Sequence, residues 1–387
     1  MKFRTQTQGR QVFIIRAMQF TYYAFMSLLV AYFPLYFDSI GFTKLQIGAI
    51  YSIGPTLSIL SNIVVGVISD KSQNIRRVVS LLFLGQILGL ALLLPQKEFA
   101  VVSIIMAFFY FCQTPMNAVV DSINLLASEQ LNRSFVALRM FGSLGYAIFA
   151  VVFGIVLKQY GSDLTIILGI IILAIGMLFS LFIGNYQASM RKFELRGLWS
   201  IVKDRRTIGF LVMIFFISIG HRINEGFLAL TMRNLGADDS VIGIASLASA
   251  VSEIPMFFIL AKYGYKIREM PLLAIAGAMY TLRFWLMSVA TEPWMMVALQ
   301  CMHIVTFAIF YITALRVLMN MIPEQYRASG QALYAVVWSG LSGVAAGVFG
   351  GRLIDIAGFS YAYRLGALFA LLGTIGFLYL HFRRSET

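Results

Sequence analysis

Composition and spacing predict an all-α membrane protein of twelve transmembrane helices in two pseudo-symmetric six-helix bundles. Three observations carry that prediction. Hydrophobic residues make up 59% of the chain and charged ones only 12%. Apolar runs long enough to cross a bilayer recur along its length, and basic residues gather in the segments between them. A soluble chain carries about 25% charged residues, so this one has too little polar surface to cover a water-facing globule, and lipid must face much of it.

A hydrocarbon core of ~30 Å needs roughly 20 residues of helix. Such runs lie near 11–37, 45–69, 77–95, 99–127, 135–158 and 164–184, and resume near 207–232, 240–262, 270–290, 293–321, 328–352 and 361–381. Before the first run, Met1 to Arg10 is polar and basic with no small-residue cleavage pattern after it, so span one is expected to stay in the mature chain. Between the sixth and seventh runs lies the longest polar stretch, with Trp199 among its charges, which suits a helix lying on the membrane surface. The expected division is 1–184 for the N-terminal bundle, 185–206 for a cytoplasmic linker and 207–387 for the C-terminal bundle.

Orientation follows from lysine and arginine placement. Nineteen of the basic residues fall on the side of the two termini, six on the other, and five inside the spans. The termini are therefore expected to be cytoplasmic, in a multi-pass protein of the cell (inner) membrane. The net charge of +13 does not point to nucleic acid, because no basic patch forms. Cys112 and Cys301 both sit in apolar runs and imply neither disulfide nor metal.

The halves look like copies. Gly41 and Gly48 match Gly236 and Gly243 at a shift of 195 positions, and Gly154 and Gly161 match Gly351 and Gly358 at a shift of 197. Two similar bundles can rock about a shared central site, the basis of alternating access.

Residues 66–77 read Gly-Val-Ile-Ser-Asp-Lys-Ser-Gln-Asn-Ile-Arg-Arg, between spans two and three. Gly66, Asp70 and Lys71, followed slightly late by Arg76 and Arg77, resemble the cytoplasmic gating loop of the major facilitator superfamily; its usual glycine and arginine are replaced by Gln73 and Asn74. The full chain is similar to the lactose permease and phenylpropionate permease branch of oligosaccharide- and aromatic-acid:proton symporters. The likeness rests on Ala31-Tyr32-Phe33-Pro34, on Arg139-Met140-Phe141-Gly142-Ser143-Leu144-Gly145-Tyr146, and on the stretch from His221 through Asn224 and Phe227 to Glu253-Ile254-Pro255. Asp121 precedes Arg139 by 18 residues, as do the carboxylate and arginine that bind sugar in lactose permease. Two departures count against lactose itself: Thr306 stands where that permease carries a carboxylate one turn after His303, and its span-eleven lysine falls at about Ser342.

Ionisable groups inside spans cost at least ~2.5–3.5 kcal/mol each at a helix centre and need a partner or a wet cavity. Asp121 lies ~12 Å and Arg139 ~9 Å from the cytoplasmic ends of spans four and five. Arg316 follows Asp121 by the repeat shift of 195, so an acid and a base are predicted to face each other across the central cavity. Glu253, Arg283 and His303 fall near the midplane of spans eight, nine and ten. His221, Asn224 and Glu225 share a face of span seven, and Arg222 reaches Glu225 at i+3. The expected solute site is Asp121, Arg139 and Arg316 with Asn117 and Asn224; the expected proton-coupling set is Glu253, Glu225, His221, His303 and Arg283. The competing reading of each group is an inert ion pair that holds helices together. Tyr22, Tyr23 and Gln19 are further candidates for the cavity wall, whereas the span-eleven glycines are expected to serve helix packing and Arg16 to snorkel.

These features predict a proton-coupled symporter that imports a small polar or anionic solute such as a sugar, nucleoside or aromatic acid. Its partners would be the solute, protons and the lipid bilayer, with no nucleic acid, no metal and no cofactor beyond the proton gradient, and a monomer is expected. The chain offers no nucleotide-binding loop, so ATP is not the evident energy source. An enzyme is disfavoured, because there is no HExxH motif, no metal cluster and no large soluble domain. The alternatives are a proton-driven efflux antiporter and a transport-inactive sensor on the same fold.

Overall fold

A computed structural model describes residues 2–184, 186, 203–263, 267–323 and 326–385. The surface helix expected around Trp199 lies outside the described residues. Eleven of the described helices are long and apolar enough to cross a membrane, and Leu164–Ser180 is a twelfth, shorter apolar helix. Large apolar side chains such as Ile104, Phe258 and Phe349 stand largely exposed on them, as a lipid-facing surface requires.

The twelve spans keep the predicted order, but several are not single helices. Span one runs Lys2–Ala31, so helix reaches into the basic N-terminal stretch, and it restarts as Phe33–Ser39 where Pro34 enters. Span two is Lys44–Ser72 and span three Ile75–Leu93; Gln73 between them takes a left-handed φ of 51° and Asn74 caps span three by accepting from the Arg77 amide. Span four is two helices, Phe99–Gln113 and Met116–Gln130, interrupted at Pro115, which supplies no amide. Spans five and six are Phe135–Tyr160 and Leu164–Ser180. Span seven is Arg205–Asn234, capped by Asp204, followed by span eight, Asp239–Tyr263, and span nine, Glu269–Ser288. Span ten breaks into Pro293–Gln300, one 3₁₀ turn at Cys301–Ile304, and Phe307–Met321. Span eleven covers Arg327–Ala357 and contains two π-helical segments; span twelve is Phe359–Ser385. The unbroken runs expected for spans four and ten are thus corrected: hydropathy reads side chains, and both breaks are backbone events inside continuous apolar sequence.

Packing divides the chain into two compact units. One comprises Met1–Phe42, Thr56–Met190 and Asp238–Gly243; the other Thr43–Pro55, Arg191–Ala237 and Ile244–Thr387. Inside the first, span one packs on spans five and six, and span three on four and six; inside the second, span twelve packs on spans seven and nine. The start of span two therefore packs with the C-terminal spans, and the start of span eight with the N-terminal ones.

Glycine makes both crossings possible. A Cβ on Gly48 would fall 1.9 Å from the Gly347 carbonyl oxygen, and one on Gly351 2.5 Å from that of Lys44. In the other unit a Cβ on Gly243 would meet the Ala150 oxygen at 2.3 Å, and one on Gly154 the Asp239 oxygen at 2.5 Å. The remaining four glycines of the repeat, Gly41, Gly161, Gly236 and Gly358, are those with left-handed φ, at 94°, 88°, 92° and 88°. All eight are fixed by backbone geometry that a side chain would obstruct.

Polar contacts repeat as well, with their chemistry altered. Thr43 and Gln46 cap the start of span two reciprocally, and Asp355 at the end of span eleven accepts from the Lys44 and Leu45 amides at 3.0 and 2.9 Å. At the equivalent place in the other unit, Asp238 caps span eight, accepting from the Val241 amide at 3.1 Å, and Lys158 at the end of span five meets its carboxylate at 2.7 Å.

Candidate functional site

The first unit holds its charges as a pair. Asp121 rides on the second helix of span four and Arg139 on span five, and Arg139 Nη1 lies 2.8 Å from both carboxylate oxygens. The Arg139 and Asp121 side chains remain 47% and 37% exposed, so the pair is open to whatever fills the space beside it. Asn117 is half-buried one turn before Asp121 on the same helical face. Tyr23 packs its ring on Gly142, one turn from Arg139. Beneath them, fully buried Gln19 and Asn124 exchange side-chain amide hydrogen bonds, with Asn124 Nδ2 donating to Gln19 Oε1 at 2.9 Å. Gln113 donates to Met26 Sδ and to the Tyr22 hydroxyl. Asn124 and Gln113 are absent from the sequence-predicted set, because a neutral amide inside an apolar run carries no signal of its own.

The second unit arranges its charges differently. Arg283 of span nine is fully buried and meets neutral groups: Nη2 donates to Gln300 Oε1 at 2.6 Å, and Nη1 lies 2.7 Å from His303 Nδ1 and 3.2 Å from Thr306 Oγ1. Since guanidinium only donates, His303 accepts through Nδ1 and carries its proton on Nε2. Gln300, His303 and Thr306 all belong to the broken stretch of span ten, where loosened helix brings three side chains around one guanidinium. Among the described residues no carboxylate forms an ion pair with Arg283, and its Nε has no hydrogen-bond partner. Glu253, on span eight, leaves its Oε2 buried without a partner.

The face predicted for His221, Asn224 and Glu225 exists, but its members turn to different partners. His221 stacks on Phe307 at 5.2 Å, lies beside His303 and Trp338, and its Nδ1 is 3.3 Å from the Tyr280 hydroxyl. Asn224 accepts from the Tyr363 hydroxyl at 3.3 Å. Glu225 takes a hydrogen bond from Arg222, as the i+3 spacing predicts, and Arg222 also reaches span eleven at Trp338 and Ser339. Arg316 is drawn to Glu269 in its own unit, Nε to Oε1 at 3.3 Å, with Asn320 beside them. In the loop motif Gly66 is buried, Asp70 is half-buried, and Lys71, Arg76 and Arg77 are exposed. Among the described residues no cluster of histidine, cysteine or carboxylate side chains could hold a metal ion.

Known proteins place this architecture. The chain is 24% identical over 344 residues to an uncharacterized transporter, YwbF, of Bacillus subtilis (strain 168), a match covering 88% of this chain and 85% of the relative. It is also 24% identical over 348 residues to a probable 3-phenylpropionic acid transporter of Escherichia coli (strain K12), covering 88% and 90%. The crystal structure of the nucleoside transporter NupG superposes with a TM-score of 0.83 at 15% identity, covering 96% of this chain and 99% of that one, a likeness of fold. The model of the MFS_1 like family matches residues 13–365. The chain belongs to that family, and is therefore a multi-pass secondary transporter of the major facilitator superfamily rather than an enzyme.

Proposed function

We propose that this transporter imports a small polar or anionic solute together with protons, binding the solute at Asp121 and Arg139. The observation that carries the reading is the state of that pair: matched in charge and doubly hydrogen-bonded, yet half-open within membrane-spanning helices. A purely structural pair at that depth is expected to be closed off from water. An arginine and a carboxylate side by side can exchange each other for hydroxyl, amide or carboxylate groups of a solute. Asn117 extends the same surface.

Coupling is proposed to run through Glu253. Its orphaned carboxylate oxygen has no donor among the described residues, which suits a group whose partner arrives from outside as a proton or a solute. Arg283 and His303 would set the field around it, with His221 and Glu225 at the edge of the same assembly. The loop from Gly66 to Arg77 is proposed to gate the cytoplasmic side, and both termini to lie on that side. Names of relatives suggest the solutes to try first, an aromatic acid and a nucleoside, with sugars beside them.

The experiment is a thermal-shift panel of aromatic acids, nucleosides and sugars on the purified protein, repeated with Asp121→Asn. A solute that raises the melting temperature of the natural chain and fails to raise that of the variant supports the site. A shift of equal size in both would remove Asp121 from solute contact. Uptake of that solute into vesicles, with alkalinisation outside, separates symport from proton-driven efflux.

A further inference from the structure

Span eleven carries π-helical segments at Val336–Leu341 and Ala346–Gly350, separated by the four α-helical residues Ser342–Ala345. A π segment accommodates an extra residue and shifts pairing to i→i+5. Accordingly the Ser342 amide bonds back to Val337, five residues earlier, and to Ser339. The Trp338 carbonyl, which that amide would meet in an α-helix, accepts instead from the Ser342 hydroxyl at 2.5 Å and from Arg222 Nε of span seven at 3.1 Å. Arg222 Nη2 donates to Ser339 Oγ at 2.7 Å, and Nη1 to Glu225. All three guanidinium nitrogens are engaged, two of them by the first π segment.

The second π segment presses on span two backbone to backbone, through Gly347 and Gly48. About two turns beyond Gly347, Asp355 caps the first amides of span two. Winding decides whether that cap is reached, because one residue of α-helix corresponds to ~100° of rotation and ~1.5 Å of rise. Closing either π segment into α-helix would turn Asp355 away from the start of span two.

We propose that Arg222 is a positioning residue of the transport cycle: by holding the Trp338 carbonyl and the Ser339 hydroxyl it fixes the π-wound register of span eleven in which Asp355 caps span two. Glu225 anchors the guanidinium for that task. The register gives the carrier a discrete element with two windings, and releasing Arg222 frees the contact between spans two and eleven. The proposal rests on the reading of the chain as an alternating-access carrier, and on neither its solute nor its coupling ion.

Hydrogen–deuterium exchange of the full chain in lipid nanodiscs, without solute, tests it. Arg222→Gln is expected to raise exchange about tenfold at two places together: within 336–345, and at the Lys44 and Leu45 amides. The first turn of span eight, capped separately by Asp238, should keep its natural rate. Arg222→Lys should not rescue, since one ammonium cannot reproduce the fork that spans Trp338, Ser339 and Glu225. Loosening confined to 336–345, or rescue by lysine, would overturn the proposal. Should Arg222→Gln fail to fold, Ser339→Ala decides by the same two-place criterion, because it removes a single acceptor. No transport is read in this experiment, so a chain that carries nothing would count against the carrier reading alone.

Discussion

At the scale of single residues, the two units solve the problem of membrane charge in opposite ways. Asp121 and Arg139 neutralise each other through two 2.8 Å contacts. Arg283 spreads its charge over an amide, an imidazole and a hydroxyl instead. That distinction is chemical, because a rigid guanidinium fork carries its donors on separate nitrogens and so reaches acceptors that one ammonium cannot span. Arg283→Lys keeps the charge and loses the fork, leaving the Gln300 carbonyl oxygen without its donor in a buried site. It is expected to destabilise the fold by about 2 kcal/mol, measured as a lower melting temperature in detergent, and a variant as stable as the natural chain would contradict the geometry. The Asp121–Arg139 pair was legible in sequence because opposite charges in adjacent apolar runs stand out. The partners of Arg283 were not, since glutamine and threonine are common in such runs and only their convergence gives them meaning.

At the scale of elements, backbone approach and capping do the positioning. Gly48→Ala must push span two off span eleven, because the carbonyl oxygen in its way cannot swing aside like a side-chain tip. Overpacking of that kind costs roughly 1–3 kcal/mol. Gly209→Ala in span seven, where nothing lies within 4 Å of the added carbon, is the control and should be neutral or stabilising by up to about 1 kcal/mol. Equal melting temperatures for the two variants would refute the close contact. The cap of span eight adds a pH dependence. The Asp238 carboxyl is held below the usual carboxylate range, chiefly by its hydrogen bond from Lys158 and further by first-turn amides, against a smaller opposing cost of burial. A depressed carboxyl contributes its full stability above its unfolded value of ~3.9 and loses it as pH falls through the depressed one. Asp238→Asn retains capping ability but not the charge, so the natural chain should be more stable by roughly 0.5 kcal/mol near neutrality. That gap in melting temperature should close below about pH 4; a gap that widens in acid would reverse the assignment.

At the scale of the molecule, the repeat organises everything else. The shifts of 195 and 197 that pair glycines in the sequence also pair Thr43 with Asp238, the caps of spans two and eight, and Lys158 with Asp355, which reach those caps from spans five and eleven. Each unit therefore contains the opening of a helix whose remainder belongs to the other. The proposed cytoplasmic termini give a prediction at this scale. A cleavable tag at either terminus should be cut by external protease in inside-out vesicles and protected in right-side-out ones. Cleavage of one tag in each preparation would break the even span count, and cleavage of both in right-side-out vesicles would invert the proposed direction.

The sequence by itself determined the class of protein, the number and order of spans, and the duplicated halves. These depend on what side chains prefer as solvent, and on glycines whose spacing survives in the chain. It also marked Asp121, Arg139, Glu253 and Arg283, because a charge in an apolar run is conspicuous wherever it points. Tertiary structure alone decided the rest: the breaks in spans four and ten, the π winding of span eleven, the neutral cradle of Arg283, and the pairing of Arg316 with Glu269. Each is a choice among hydrogen-bond partners far apart in sequence, and the free energies that separate such choices come from distances and angles that residue identity does not encode.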